Sequence, residues 1–347
     1  MVSFVKNPFP NPPPEYRGWE RGGDRPSPLV PATPAMSTNF ADRLLDAIDR
    51  KESPICVGID PILESFPESI FGGRALAPDD RDGAIDAIFA FTTSVLRIVA
   101  PLVPVVKFQS AYFEKYLWEG VEAYYSLIAE AAELGLLVIG DIKRGDIGST
   151  AAAYAAGHLA GDSVQEQDDI VMPDAITVNP FCGIDTIGPF VQTAQDHGRG
   201  LFVLVRTSNP GSAELQDVKL ADGRTWSEML ADKLAITASA PGLVGSRGFS
   251  SIGAVVGATQ PQTMQSLRSR LPHSIFLLPG YGAQGATADM TRAAFVAGKG
   301  AIVSASRSIL YAHKEAKYAN RFGHDWERCV QQAVLDMRED LGRVLAS

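Results

Sequence analysis

The chain has 347 residues, 46% apolar and 20% charged, with a formal charge of −9 at neutral pH. This is an ordinary composition for a globular enzyme, and the excess of acid disfavours a nucleic-acid surface without excluding a small anion held by a few local cations. The longest apolar run, Ile98 to Val106, is broken by Pro101 and Pro104, so no segment reaches membrane-spanning length and no membrane partner is expected.

Residues 1 to 36 are rich in Pro, Gly and charge, with Pro12-Pro13-Pro14 and Gly22-Gly23-Asp24-Arg25-Pro26, and read as a disordered extension. Glu15, Glu20 and Asp24 argue against a transit peptide, and no apolar stretch follows Lys6, so neither secretion nor import is indicated. Met36-Ser37-Thr38-Asn39 followed by Phe40 to Asp49 looks like a fresh start with a capped amphipathic helix, which makes Met36 a candidate initiator.

From Pro54 short apolar runs alternate with helical patterns, the mark of repeated βαβ units. The strands predicted are Ile55–Ile59, Val103–Phe108, Leu136–Gly140, Ala175–Val178, Leu201–Val205, Ala254–Gly257, Ile275–Leu278 and Ala301–Ser304. Helices are predicted over Asp82–Val99, Ala111–Leu134, Ile184–His197, Trp226–Ala238, Gln262–Leu271 and Thr287–Ala297, with a closing helix near Asp325–Leu345. Eight strand–helix units predict an α/β fold, a single-domain (β/α)8 TIM barrel over residues 37–347, its bottom covered by the Phe40–Asp49 helix. A doubly wound open sheet is the fallback, but no GxGxxG follows the first strand. Gly161–Pro173 and Asn209–Arg224 exceed what barrel loops need; the second follows strand five on the catalytic face and the first lies at the opposite end.

Cys56, Cys182 and Cys329 form no CxxC or Cys/His cluster, and the five histidines lack metal-ligand spacing. Neither a disulfide framework nor a zinc site is suggested, and the cysteines read as structural in a reducing, cytoplasmic compartment.

In a barrel, polar residues at the C-terminal strand ends converge on one site. Here they are Asp60, Lys107, Asp141 with Lys143, Asn179, Arg206-Thr207-Ser208, the Pro279-to-Gly285 turn with Gln284, and Ser304-Ala305-Ser306-Arg307. Asp141 and Lys143 stand two apart on one strand and so share a face, presenting a carboxylate beside an ammonium. Alone, that segment reads more readily as a helix-capping Asp and a snorkelling lysine at a strand-to-helix turn. The last two loops sit where barrel enzymes bind phosphate, and Arg307 supplies a cation for it.

Asp141-x-Lys143-x-x-Asp146, Lys107 on the preceding strand, Pro279-x-x-x-x-Gln284 and Arg307 together resemble the orotidine 5′-phosphate decarboxylase family, over roughly residues 37 to 330. The longer loops and the Val-Ser-Ala-Ser-Arg segment are similar to its larger bacterial, type 2 subgroup. One departure is Ser306, where many relatives carry Gly before the phosphate arginine.

The resemblance implies conversion of orotidine 5′-phosphate to UMP and CO₂ without metal or cofactor. Lys143 is then the electrostatic stabiliser of the charge developing at C6 and the donor of the proton that replaces CO₂. Asp141 and Asp146 are expected to favour its protonated form. Lys107 orients Asp141 and touches the ribose, and Asp60 also meets the ribose. Ser208 and Gln284 lie near base and phosphate, and Pro279 and Arg307 line the phosphate half. The resemblance also implies a homodimer in which Asp146 and Thr150 act in the partner's site. Two rivals are a Mg²⁺-dependent sugar-phosphate aldolase or decarboxylase of the same suprafamily and a non-catalytic phosphate-binding barrel. Lys107 stands where the first needs an oxygen ligand, and the second should have lost a charged residue.

Overall fold

The computed structural model describes residues 39–345 except 74, 75, 78 and 162–169; the segment read as disordered, 1–36, lies outside the described residues. Eight parallel strands close into a barrel in sequence order, β1 (Ile55–Ile59), β2 (Val105–Gln109), β3 (Leu137–Arg144), β4 (Ala175–Val178), β5 (Gly200–Arg206), β6 (Ser250–Val256), β7 (Ser274–Pro279) and β8 (Ala301–Ala305), with β8 returning to β1. This is the predicted TIM barrel. Helices surround it: α1 (Phe40–Lys51), α2 (Arg81–Val99), α3 (Ala111–Glu114), α4 (Leu117–Glu133), α5 (Gly148–Ala155), α6 (Gly188–Asp196), α7 (Ser212–Gln216), α8 (Trp226–Ala238) and α9 (Pro261–Arg270). After β7 come α10 (Ala288–Thr291), α11 (Arg307–Leu310), α12 (Ala316–Phe322) and α13 (Trp326–Leu345). No described helix is long and apolar enough to cross a membrane.

The interior follows the period of two. Cys56, Val105, Ile139, Ala175, Phe202, Ile275 and Ile302 point inward and form one apolar layer, into which α1 presses Phe40, Leu44 and Leu45 from below. Phe40 meets Phe202 edge to face at 6.0 Å, and it fits because Gly200 has no Cβ: one there would lie 2.1 Å from the ring. Asn39 caps α1 by accepting from the Ala41 and Asp42 amides. Since the lower layer is filled with hydrocarbon, the inward positions one step further along each strand are free to be polar. Those positions make the site.

Three elements differ from expectation. The helix predicted over Ala111–Leu134 is two helices, because Leu117 adopts φ +60 and interrupts the ladder. The helix predicted over Thr287–Ala297 stops after one turn of α10 and a short 3₁₀ turn, Arg292–Ala294; Ala297 (φ +48) and Gly298 (φ +74) then make a tight reversal closed by mutual backbone bonds between Val296 and Lys299. Under that reversal lies Arg268, buried, donating to the carbonyls of Leu271, Ser274, Ala294 and Gly300 and lying 3.6 Å above the Phe276 ring. Finally, β3 runs through the charged motif to Arg144 rather than ending at Gly140. Asp141 and Lys143 are strand residues, and their charge is tolerated because the barrel opens into a cavity there.

Candidate active site

A cavity of about 410 Å³ opens at the C-terminal end of the barrel. Its lining includes eight of the ten residues singled out from the sequence: Asp60, Lys107, Asp141, Lys143, Ser208, Pro279, Gln284 and Arg307. Asp146 and Thr150 are not among them: Asp146 accepts from the Ile147 amide, and Thr150 is exposed on α5.

Asp141 is the hub of the floor. Oδ2 accepts from Lys107 Nζ at 2.6 Å and from Gln109 Nε2 at 3.0 Å, while Oδ1 accepts from Lys143 Nζ at 2.5 Å and from Thr177 Oγ1 at 2.8 Å. Both oxygens are saturated with donors, two of them cationic. Asp60 extends the line, its Oδ1 lying 4.0 Å from Lys107 Nζ and buried without a hydrogen-bond partner. Within one chain the array is therefore Asp60–Lys107–Asp141–Lys143. Tyr311 secures its outer end by donating to the Asp60 carbonyl and accepting from the Ile62 amide.

The charges settle one another unequally. Burial penalises the Asp141 carboxylate, but Lys107 and Lys143 outweigh it and hold its pKa far below the ordinary aspartate value. Burial also works against the Lys107 ammonium, and Asp141 with Asp60 overcomes it, so that its pKa lies above the lysine range. For Lys143 the balance reverses: burial lowers its pKa, Asp141 pulls it up, Lys107 pushes it down, and the net direction is downward. Of the two carboxylates expected to favour the protonated lysine, Asp141 does so, and burial together with Lys107 outweighs it. Asp141 is shared between two lysines, and Asp146 does not join the array. Beneath the floor, burial pushes the Cys56 thiol up to about 12, which keeps it neutral.

The opposite wall is built by the β7 and β8 loops. Gly280 takes φ +111, where a side chain is strained, and this turns the chain so that Gln284 folds back over the cavity. Arg307 opens α11 and has no ion-pair partner among the described residues. The hydroxyls of Ser306 and Ser308 on either side of it are buried and unpartnered. Ser306 has room because of the neighbouring strand: Gly58 on β1 lacks the Cβ that would lie 2.8 Å from Ser306 Cβ.

Arg206, at the end of β5, stands behind the wall rather than in it. It is buried and pairs with Asp217 through two bonds of 2.8 Å, and it also donates to Ser212, fixing the Asn209–Arg224 segment that carries α7. Thr207, Ser208 and Asn209 consequently face the cavity. Gln109 and Thr177 were not foreseen as site residues. Thr177 lies two positions beyond the inward Ala175, and Gln109 four beyond the inward Val105 with Lys107 between, so the same period that exposed Asp141 and Lys143 also marks them.

A family model described as orotidine 5′-phosphate decarboxylase / HUMPS family matches residues 53–322. The chain is 40% identical over 304 residues to the orotidine 5′-phosphate decarboxylase of Rhodopirellula baltica, covering 87% of this chain and 98% of that protein. Against the enzyme of Clostridium novyi it is 35% identical over 302 residues, with the same coverages of 87% and 98%. The solved structure of Leishmania donovani OMP decarboxylase matches with a TM-score of 0.65 at 26% identity, over 89% of this chain and 100% of that one. With the family model spanning most of the barrel and full-length relatives at this identity, the chain belongs to the orotidine 5′-phosphate decarboxylase / HUMPS family.

Proposed function

We propose that this chain decarboxylates orotidine 5′-phosphate to UMP and CO₂, with Lys143 as the group that stabilises the charge left at C6 and then protonates it. The observation that carries the reading is the doubly saturated Asp141 carboxylate between Lys107 and Lys143, on the floor of a cavity whose far wall presents an unpaired Arg307. Loss of CO₂ leaves an electron pair that the pyrimidine ring delocalises poorly, so catalysis needs a cation already in place. Lys143 meets that need from a fixed position, and its lowered pKa eases the proton transfer. A substrate carboxylate entering beside Asp141 also adds a third anionic group, raising the pull on both ammonium groups. Ground-state repulsion from Asp141 is secondary here, because its charge is already balanced on both oxygens.

Asp60, with its unpartnered oxygen, and Lys107 are assigned to the ribose hydroxyls, and Ser208 to the base. Gln284, Pro279 and Arg307 form the phosphate end, where binding energy organises the reacting end. The reaction is assigned as metal-free: the two lysines put positive charge where a divalent cation needs oxygen ligands. This disfavours the sugar-phosphate aldolase. The longer loops and the bacterial relatives at full length favour the larger bacterial subgroup.

The active unit is proposed to be a homodimer with Asp146 and Thr150 completing the partner's site. Both lie outside their own cavity, and the connections after β3 and β4 expose Ile147 (62%) and Phe181 (69%). The test of the reaction is the fall in orotidine 5′-phosphate absorbance on adding purified protein, with UMP as product and the rate unchanged by EDTA. No turnover, or activity abolished by EDTA and restored by Mg²⁺, overturns it. For the dimer, mixing inactive Lys143→Ala with inactive Asp146→Ala should restore activity through hybrid sites. Failure to complement, with subunit exchange verified, returns Asp146 to its own subunit.

A further inference from the structure

The β3–β4 pairing is irregular at the catalytic motif. Gly140 pairs with Ile176, and the next pair is Arg144 with Val178. Three β3 residues, Asp141, Ile142 and Lys143, therefore face a single β4 residue, Thr177. Such a bulge re-aims side chains and removes ladder partners from the backbone groups inside it. Lys143 bears the distortion: its φ is +49, a left-handed value that a lysine adopts only when its surroundings enforce it.

Thr177 supplies that enforcement. Its hydroxyl accepts from the Lys143 amide at 3.0 Å, taking the place of the lost ladder carbonyl, and donates to Asp141 Oδ1 at 2.8 Å. The same Asp141 oxygen holds Lys143 Nζ at 2.5 Å. One hydroxyl thus grips the lysine at its backbone and, through the carboxylate, at its ammonium. Thr177 is 1% exposed, so water does not readily replace either bond.

We infer that Thr177 is a positioning residue for the decarboxylation, acting through Asp141 and Lys143 rather than on the substrate, and that its hydroxyl is required while its methyl is not. The inference rests on the reaction proposed above. It also predicts a separation of effects, because Gln284 and Arg307, assigned to the phosphate, follow β7 and β8 on the far wall and do not depend on the bulge. Misplacement of a reacting group by about an ångström lowers rates roughly 100-fold. Loss of the hydroxyl should therefore lower kcat by about that factor and leave KM and UMP affinity nearly untouched.

The experiment compares Thr177→Val, nearly isosteric but without the hydroxyl, and Thr177→Ser, which keeps it, with wild type, measuring kcat, KM and the Kd for UMP. The expected result is a fall in kcat of about 100-fold for Thr177→Val, with KM and UMP Kd within about threefold and Thr177→Ser close to wild type. Wild-type turnover by Thr177→Val overturns the inference. So does an equal loss of kcat and UMP affinity, or a Thr177→Ser as slow as Thr177→Val. Should Thr177→Val not fold, Thr177→Ser against Thr177→Ala carries the test: serine faster by about tenfold or more supports the role, and equal rates remove it. An inactive wild type removes the reaction itself, whereas an active wild type with an equally active Thr177→Val removes only the role of Thr177.

Discussion

Asp141→Asn takes the one anion from between two lysines, and its cost can be worked from their exposure. Lys107 is 8% exposed and Asp141 6%, so their 2.6 Å pair is buried, and removing one charge from such a pair costs about 3–5 kcal/mol. The Lys143 side chain is 43% exposed, so solvent screening holds its pair to at most about 1 kcal/mol. Asparagine offers one lysine an acceptor and turns its amide donors toward the other, and Asp60 at 4.0 Å relieves Lys107 only partly. The expected loss is thus about 3–5 kcal/mol, a fall in Tm of about 6–10 °C for a domain of this size.

The pH dependence gives a second, independent reading. In the wild type, Asp141 has a depressed folded pKa, so its contribution is present above its unfolded value of about 4 and is lost as pH falls. Lys107 has a raised folded pKa, so its contribution is full below about 10.4 and is lost as pH rises through the folded value. In Asp141→Asn the main upward influence on Lys107 is gone and burial remains, which depresses its folded pKa. The penalty is then present at pH 7 and shrinks as pH climbs toward about 10.4. Thermal unfolding at pH 7 and pH 9.5 checks both points. A Tm within about 1 °C of wild type, or a deficit equal at the two pH values, refutes the reasoning.

Three further outcomes follow from particular contacts. Gly58→Ala drives a Cβ to within 2.8 Å of Ser306 Cβ; overpacking of about 1–3 kcal/mol at the phosphate wall should raise KM about tenfold with kcat little changed, and adding Ser306→Gly should restore it, as steady-state kinetics on the single and double variants will show. Arg206→Met releases Asp217 and Ser212, so limited proteolysis should cut the Asn209–Arg224 segment faster than in wild type and KM should rise; unchanged cleavage contradicts the bracing role. Arg268→Met removes four buried hydrogen bonds, two of them to carbonyls (Leu271 and Gly300) that keep a backbone amide donor, and at about 1 kcal/mol each the loss should be about 4 kcal/mol in denaturant unfolding, with kcat at 25 °C unaffected because its hydrogen-bond partners lie outside the cavity lining.

The barrel was legible because its strands are buried on both faces and appear in the sequence as short continuous apolar runs, whereas their polar C-terminal ends stand out against those runs. Eight of the ten residues named from the sequence line one cavity for the same reason. What escaped is non-local. The break between α3 and α4 depends on one residue at positive φ, and the short α10 on the Ala297-Gly298 reversal, neither of which interrupts the apolar pattern. Arg206 looked like a site residue because it sits at a strand end, yet its partner Asp217 is fixed only once α7 has folded back. The net direction of the Lys143 pKa was not legible because a sequence shows which charges are near but not how much water they lose.

The central claim is that Lys143 carries the chemistry while the rest of the cavity binds. Its most direct test is the turnover of orotidine 5′-phosphate by purified Lys143→Ala, with UMP affinity measured on the same preparation. Removal of a positioned proton donor that also stabilises transition-state charge should lower kcat by at least about 10³-fold, and the phosphate wall should leave UMP affinity within about tenfold of wild type. A Lys143→Ala enzyme that turns over within tenfold of wild type contradicts the account.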